Sequence, residues 1–355
     1  MVDISDYISD LNSENEKKRA FAAEDIAYDG LSEGIVPLVE RLQIETSRFV
    51  KEAIVNSLKK MNSMDLVNNV IPLLRSDDAF IRNASIDILA AQGGNVIEPI
   101  RKLLSDPDKD VRKFAVDVVM QLKNGYSANM IAEALDDVDM NIVITAVEYL
   151  GRMESYAYAH RINALLQNTP SLLLRCTCLE TLSIIADKES VAAVAAVYPN
   201  SRLISPLELY SYLKFIAYRG TEDDLPLIMD LMRDKGNMMH KEIINALQGI
   251  LHRIHRDRLD EELLSGLNAY LETDINDINK YELLLLLAAF NNEGIFPILV
   301  KYATSDNQLI CQGAVEGLGI YGQKEGQAVL TELKYKVTDE ELLEAIDRSL
   351  IQLHK

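Results

Sequence analysis

The segment Val111-Arg112-Lys113-Phe114-Ala115-Val116-Asp117-Val118-Val119 carries an apolar pattern that returns at a regular interval along the chain. With variations, the same order of residues stands at Val50-Lys51-x-Ala53, Ile81-Arg82-x-Ala84, Ile142-x-x-x-Ala146 and Leu174-Arg175-x-x-Cys178. In each copy, the predicted helix that begins with this pattern continues to a further apolar residue. These residues lie 30 to 32 positions apart: Leu58, Leu89, Val119, Leu150 and Leu182. A period of roughly 20–50 residues is typical of stacked supersecondary units, none of which buries its apolar face alone.

Each repeat is predicted to contain two antiparallel helices. Before the quoted segment, apolar residues lie at helical spacing: Ile97, Ile100, Leu103 and Leu104. Ser105-Asp106-Pro107-Asp108 then ends this helix, because the residue before proline disfavours the α conformation and Asp and Ser satisfy turn amides. No alternating strand pattern of convincing length is present. We therefore predict an all-α fold, an α-α superhelix of about ten to eleven two-helix repeats.

The repeats follow one another without a Gly/Ser-rich linker. Their predicted bounds are 4–29, 31–62, 63–93, 94–124, 125–154, 155–187, 188–220, 221–253, 254–292, 293–323 and 324–355. Residues 1–187 are regular, 188–292 are irregular, and regularity returns over 293–355. We therefore expect residues 1–355 to form a single continuous solenoid.

The chain is strongly acidic, with a formal net charge of −19. Such a surface repels phosphate backbones and anionic lipid, so we expect no nucleic acid and no membrane among its partners. No apolar run approaches the roughly 20 residues that cross a bilayer, and residues 1–6 lack the features of a signal peptide. The three cysteines are an odd number without a CxxC pair, which agrees with a reducing compartment. We expect a cytoplasmic protein.

A row of acidic residues recurs at one turn of the second helix. Its members in the regular repeats are Asp87, Asp117, Glu148 and Glu180. Because each repeat places this position on the same helix face, the row forms a stripe. Two interpretations stay open: a solvated face typical of such repeats, or a docking track for a basic partner segment with Tyr149 as an aromatic anchor.

The irregular stretch contains several tyrosines, among them Tyr198, Tyr210, Tyr212 and Tyr218. Tyrosine is favoured at interfaces because it offers a large rigid face and a polar tip. These rings either fill space where the repeat geometry changes or form a partner hot spot. Tyr210 and Tyr212 are the candidates for a partner contact.

Two other groups of residues in the irregular stretch also have two interpretations each. Met229, Met232, Met238 and Met239 either pack in the core or line an adaptable groove. The basic island 252–258 either balances surface charge or binds an anionic group, and its arginines oppose a metal cation.

The segment Ser105–Val119 resembles the short HEAT repeat, and more narrowly the PBS lyase-like subclass with its D-P-x-x-x-V-R-x-x-A-x-x-A-L pattern. Residues 77–82 and 136–139 are weaker copies. The resemblance implies a HEAT/armadillo-like solenoid and is specific for fold rather than for function. In such repeats an Asp before the second helix and an Arg within it commonly link neighbours. The resemblance thus implies structural roles for Asp110, Arg82, Arg112 and Arg175.

Enzymes on HEAT-like arrays carry signatures that this chain lacks. Deoxyhypusine hydroxylases hold iron with His-Glu pairs, but none of the five histidines here is followed by Glu. HEAT-like DNA glycosylases use a basic face and tryptophan, whereas this chain is acidic and contains no Trp. No Gly-rich phosphate loop is present. We therefore expect no catalytic residues, no cofactor and no metal.

Two functional hypotheses follow. The first is a non-catalytic scaffold or adaptor whose concave face binds a partner protein or peptide with a basic segment. The second comes from the subclass resemblance alone: a bilin lyase-like subunit or chaperone that helps to attach a tetrapyrrole.

Overall fold

The computed structural model describes residues 4–122, 124–199 and 204–354. Within these ranges the regular structure is helical, with short 3-10 turns and no β-strand, which confirms the predicted all-α fold. The α-helices up to residue 152 are α1 (Ile4–Leu11), α2 (Glu16–Tyr28), α3 (Ile35–Ile44), α4 (Arg48–Lys60), α5 (Met64–Val70), α6 (Ala79–Ala90), α7 (Ile97–Leu103), α8 (Lys109–Leu122), α9 (Ser127–Glu133) and α10 (Met140–Arg152).

The remaining helices cover residues 159–353. They are α11 (Ala159–Asn168), α12 (Leu172–Ile185), α13 (Lys188–Val197), α14 (Pro206–Arg219), α15 (Leu225–Arg253), α16 (Glu261–Leu271), α17 (Asp277–Ala288), α18 (Ile295–Ala303), α19 (Gln308–Tyr321), α20 (Glu325–Lys334) and α21 (Glu340–Leu353). Within the described residues, no helix combines the length and the apolarity that crossing a membrane requires.

The chain divides into two compact units, Met1–Ile162 and Asn163–Lys355, here called unit 1 and unit 2. In unit 1, successive helices pair within each repeat, as α1 does with α2 and α3 with α4. The second helices also stack in order: α2 on α4, α4 on α6, α6 on α8, and α8 on α10. Each repeat therefore buries its apolar face against its neighbour, as the period predicted.

In unit 2 the second helices stack in two runs: α12 with α14 and α14 with α15, then α17 with α19 and α19 with α21. Repeat 221–253 lacks a loop between its two helices. Its chain runs as α15 from Leu225 to Arg253, broken by a kink at Met239, where φ is −134° and ψ is 31°. This repeat lies in the segment 188–292, for which the sequence predicts irregular repeats.

The repeated sequence pattern forms the core. The branched residues that begin each pattern are buried: Val50, Ile81, Val111, Ile142 and Leu174. The small-residue position is buried too, at Ala53, Ala84, Ala115, Ala146 and Cys178. A small side chain at this position lets neighbouring second helices approach closely. The sequence pattern and the packing therefore have the same physical cause, since a larger residue in a well-packed core forces strain.

An arginine within the second helix links adjacent repeats in unit 1. Arg112 donates from Nε to Asp137 Oδ2 (2.7 Å), from Nη2 to Asp137 Oδ1 (2.9 Å) and from Nη1 to the Asp106 carbonyl (2.9 Å). The structural role expected for Arg112 is thus present, but its carboxylate partner is Asp137 in the next repeat. Asp110, expected to take part in the link, is exposed in the first turn of α8, where its amide donates to Asp108.

Arginine–carboxylate links between repeats also occur elsewhere, in both units. In unit 2, Arg175 Nε donates to Glu208 Oε1 at 2.6 Å, as its expected structural role requires. In unit 1, Arg19 binds Glu45 through Nε and Nη2 at 2.8 and 2.9 Å, a pair that the sequence did not reveal. Burial opposes ionisation of Glu45, but hydrogen bonds from Arg19, the Ser47 amide and Arg41 outweigh it and lower the pKa of Glu45 to about 2.

Arg82 occupies the equivalent position, but no carboxylate among the described residues pairs with it. Its Nη1 donates to the Ser76 carbonyl at 2.7 Å, and its guanidinium lies 5.8 Å from the ring centroid of Phe114. The ring supplies a cation–π contact in place of an ion pair. Arg82 is therefore structural, as expected, through a different interaction.

Candidate partner-binding surfaces

Three of the predicted acidic residues lie on successive second helices of unit 1. Asp87 is on α6, Asp117 on α8 and Glu148 on α10, and all three are half-buried. We call them the unit 1 carboxylate row. Because α6, α8 and α10 stack in order, the row follows the stacking direction within this unit.

Asp117 is bound on both of its oxygens. Lys113, one turn earlier on α8, donates to Oδ2 at 2.7 Å, and the hydroxyl of Tyr149 on α10 donates to Oδ1 at 2.7 Å. Burial, followed by this hydrogen bond, raises the pKa of the Tyr149 hydroxyl above its ordinary value. The structure thus brings together two predicted site residues, Asp117 and Tyr149, and uses both to join neighbouring repeats.

The other two carboxylates of the row differ in their pairing. Arg152 donates to Glu148 at 2.5 Å, and the same guanidinium lies 5.8 Å from the Tyr149 ring centroid. For Asp87, no hydrogen bond or ion pair to the side chain is found among the described residues. Asp87 is therefore the carboxylate of the row that is most available to an incoming cation.

Glu180 belongs to unit 2 and occupies the matching turn of α12. It accepts from Ser211 at 3.0 Å and from Lys214 at 3.3 Å, both on α14. A comparable contact occurs later in this unit, where the Tyr281 hydroxyl donates to Glu316 at 2.5 Å. Carboxylates at this turn therefore repeatedly bind polar groups of the adjacent second helix.

Around Glu180, several apolar side chains of α12 and α14 are exposed to solvent. Cys176 Sγ lies 3.6 Å from the Leu207 carbonyl, and Arg219 Nε donates to the Ser183 carbonyl at 3.1 Å, so the two helices lie side by side along their length. The exposed residues are Leu173 and Ile184 on α12 and Leu207, Tyr210 and Tyr218 on α14. We call this surface the α12–α14 face.

Tyr210 and Tyr212 are separated by the structure. Tyr210 is 52% exposed on the α12–α14 face, whereas Tyr212 is 2% exposed. The Tyr212 ring packs edge-on against Tyr198 with centroids 5.3 Å apart. On a helix, residues two apart lie on different faces, which is why one ring reaches the surface and the other the core. Tyr212 therefore fills core space and does not belong to the candidate surface.

No group of three or more His, Cys, Asp or Glu side chains among the described residues is placed to hold a metal ion. Burial raises the pKa of the thiols of Cys176, Cys178 and Cys311, which disfavours the reactive thiolate form. The buried carboxylate of Glu208 is held by Arg175 and by the Tyr198 hydroxyl, at 2.6 and 2.8 Å. These arrangements stabilise the fold.

Several surface residues were missed by sequence reasoning. Leu207 is 72% exposed and Leu173 is 61% exposed, although both have the composition of core residues. Their spacing to Tyr210 and Ile184 follows the 3–4 residue period of one helix face, which is the only signal that the sequence carries. Exposure itself depends on which faces the neighbouring helices cover.

The fold matches that of karyopherins. Kap95p, from its structure with RanGDP, aligns with 99% of this chain and 56% of its own length, at a TM-score of 0.61 and 12% identity. Karyopherin Kap121p, bound to the extreme C-terminus of the protein phosphatase Cdc14p, aligns with 98% of this chain and 49% of its own length, at a TM-score of 0.55 and 12% identity. The chain thus spans about half the length of these karyopherins.

At such low identity the likeness concerns the fold alone, and it agrees with an α-α superhelix. The sequence matches no protein-family model and no curated protein sequence.

Proposed function

We propose that this chain is a non-catalytic scaffold that binds a partner protein or peptide on the exposed sides of its second helices, the surface that we expect to be concave. The observation that carries this proposal is the α12–α14 face. Its large apolar side chains are exposed on two adjacent helices, around the polar pair Glu180 and Lys214. Contiguous exposed apolar surface with polar groups is characteristic of protein interaction sites. Kap95p and Kap121p, which share the fold, are described with protein and peptide partners.

A paired substitution tests the α12–α14 face. Leu207→Ser with Tyr210→Ser removes two of its exposed apolar groups, three residues apart on α14, without touching the core. Crosslinking with a reagent reactive toward lysine, followed by mass spectrometry of proteins retained from native lysate, should show partner peptides linked to Lys214 in the parent chain. The double variant should lose those crosslinks.

The matched control is Ile44→Ser, which removes an exposed apolar side chain from α3 in unit 1. This variant should retain the crosslinks at Lys214. Equal retention by the double variant and by Ile44→Ser would contradict the proposal for this face.

For the partner we propose a basic segment. The net charge of −19 favours cationic partners in general, and the unit 1 carboxylate row supplies negative groups along three stacked helices. Lys113 and Arg152 offset part of that charge. Asp87 therefore contributes most to the attraction, with Glu148 next.

A fluorescein-labelled peptide of alternating lysine and serine provides a defined probe for the row. Asp87→Lys with Glu148→Lys should weaken its binding about tenfold, because two surface charges are reversed. Glu40→Lys, an exposed reversal on α3, should change it far less. Equal affinity of all three proteins for the peptide would remove the row from the interface.

The finer assignments are also proposals. Arg112 donates to Asp137 and to the carbonyl of Asp106, the residue before Pro107, so the Asp-Pro and Arg positions of the motif are bonded to each other. This bonding supports our proposal that the repeats are of the PBS lyase-like type of short HEAT repeat. The tetrapyrrole hypothesis rests on that motif alone; co-expression with a phycobiliprotein subunit and bilin, followed by visible absorbance, tests it. We also propose a cytoplasmic location and a single continuous array over 1–355.

A further inference from the structure

A groove of about 850 Å³ lies between α16 and the first half of α15, entirely within unit 2. Its apolar lining includes Leu225, Met229, Met232, Leu263, Gly266 and Ala269. Both walls are first helices of their repeats, and none of the residues of the unit 1 carboxylate row or of the α12–α14 face lines it. The groove is therefore a feature separate from the surfaces in the proposed function.

Two glycines shape the groove. At Gly266 on α16, a Cβ atom would lie 2.3 Å from Met229 Cε, so the tip of Met229 crosses from α15 and rests where a side chain would otherwise stand. At Gly236 on α15, a Cβ would lie 2.4 Å from the Tyr270 ring. The floor is thus made by a long thioether side chain with three rotatable bonds, which is able to adjust to different occupants.

The rim of the groove is acidic. Five carboxylates and two cations line it: Glu222, Asp230, Asp234, Asp260 and Glu262 against Arg233 and Lys235. Arg256 pairs with Glu222 and Asp260, and Arg233 pairs with Asp230. Among the described residues no partner is found for Asp234 on the α15 wall or Glu262 on the α16 wall, nor for Lys235. The field at the rim favours a cationic occupant.

We propose that this groove docks an amphipathic helix of a partner protein, with its apolar side chains against the methionine floor and its lysine or arginine residues beside Asp234 and Glu262. The α16 wall has 11 residues, about 16 Å at 1.5 Å per residue. That length matches two to three turns of a docked helix, which presents apolar anchors at positions i, i+3 or i+4, and i+7. Methionine-rich grooves suit such helices because the lining repacks around different anchors.

The experiment uses the full chain and a defined probe. The probe is a fluorescein-labelled helical peptide with four leucines at helical spacing and lysines at both ends, and binding is followed by anisotropy. Two peptide controls replace the leucines by serine or the lysines by glutamate. The parent peptide should bind more tightly than either control, since each control lacks one half of the recognition. Any remaining binding of the serine control to the unit 1 carboxylate row should persist in the groove variants below.

Variants locate the site. Asp234→Lys with Glu262→Lys should weaken the parent peptide about tenfold, and Ala269→Trp, which places a bulky ring into the groove from an exposed position, should abolish binding. Asp87→Lys and Leu207→Ser should leave it unchanged, which separates this proposal from the proposed function. Far-UV circular dichroism checks that each variant keeps its helices.

Unchanged affinity in Ala269→Trp or in the double reversal overturns the proposal, as does equal binding of the glutamate peptide. A fluorescent apolar dye that binds the parent chain, is lost in Ala269→Trp and is not displaced by the parent peptide would instead assign the groove to a small apolar ligand. That result would also overturn it.

Discussion

The hydroxyl of Tyr149 donates a hydrogen bond to Asp117 in the preceding repeat, with 2.7 Å between the two oxygens. Two residues that the sequence marked as partner contacts are thus bonded to each other. Because burial and Asp117 raise the pKa of the Tyr149 hydroxyl, the group stays protonated and remains a donor throughout the neutral range. A basic partner segment that engages Asp117 has to share it with Tyr149 and Lys113.

Replacing Tyr149 by phenylalanine separates the role of its hydroxyl in joining the two repeats from any role in binding a partner. Tyr149→Phe removes the donor while Asp117 keeps its bond from Lys113, so unit 1 should lose about 1 kcal/mol of stability in urea unfolding. The lysine–serine peptide should bind the variant at least as tightly as the parent chain, because one competitor for Asp117 is gone. Tyr156→Phe, which alters an exposed tyrosine, is the control and should change neither quantity. Weaker peptide binding in Tyr149→Phe would show that the hydroxyl contacts the probe.

The link between Arg112 and Asp137 should be costly to break. Arg112→Ala leaves a mostly buried carboxylate without its cation, and the free energy of unfolding should fall by about 3 kcal/mol. Arg82→Ala removes an arginine from the equivalent position, where no carboxylate is stranded, and should cost about 1 kcal/mol. Urea denaturation followed by circular dichroism measures both. Similar losses in the two variants would mean that the buried ion pair adds nothing beyond packing.

A close approach between helices makes Gly249 intolerant of a side chain. A Cβ there would lie 2.0 Å from the carbonyl oxygen of Ala217 on α14, so Gly249→Ala forces α14 and α15 apart. We expect a loss of about 1–3 kcal/mol, the usual cost of overpacking, visible as a lower thermal midpoint. Gly94→Ala adds the same methyl group where no atom lies within 4 Å and should have almost no effect. An unchanged midpoint for Gly249→Ala would contradict the packing described for these helices.

His240 should make stability depend on pH. Burial lowers the pKa of its imidazole below the ordinary value of 6.5, against the opposing charges of Glu282 and Glu242, while Nδ1 lies 3.0 Å from the Tyr270 hydroxyl. The unfolded chain therefore binds a proton more readily than the folded one. The contribution of His240 to the free energy of unfolding is therefore fully present above about pH 6.5. It decreases as the pH falls toward the lowered pKa of the folded state.

Comparing urea midpoints at pH 7.5 and 5.5 checks this dependence. His240→Phe should show a smaller decrease between the two values than the parent chain, whereas His252→Gln, at an exposed position, should behave like the parent. The same decrease in His240→Phe would assign the pH dependence to other groups.

Much of the fold followed from local pattern. The predicted bounds 94–124 and 125–154 match the pairs α7–α8 and α9–α10, because apolar residues at helical spacing and loop residues such as Asp106 and Pro107 act over a few positions. The repeat 221–253 was located correctly, but the kinked passage through Met239 in place of a loop was not foreseen. Neither Gly236 nor Met239 carries a local signal that distinguishes a kink from a turn.

The candidate surfaces were only partly predictable. Helical spacing placed Asp87, Asp117 and Glu148 on equivalent turns, and they do occupy them. That spacing said nothing about the bond between Tyr149 and Asp117, because its two ends are 32 positions apart and meet only when α8 and α10 stack.

Side-chain periodicity alone determined that this chain is a helical repeat protein, since burying one apolar stripe per helix requires a neighbouring repeat. The stacking of the helices decided which polar groups bond to each other and which of Tyr210 and Tyr212 reaches the surface. It also placed Met229 against Gly266, where its side chain forms the floor of a groove. The physical reason is the distance along the sequence over which each effect acts. Propensity and periodicity act over a few residues, whereas exposure and pairing depend on atoms brought together from distant parts of the chain.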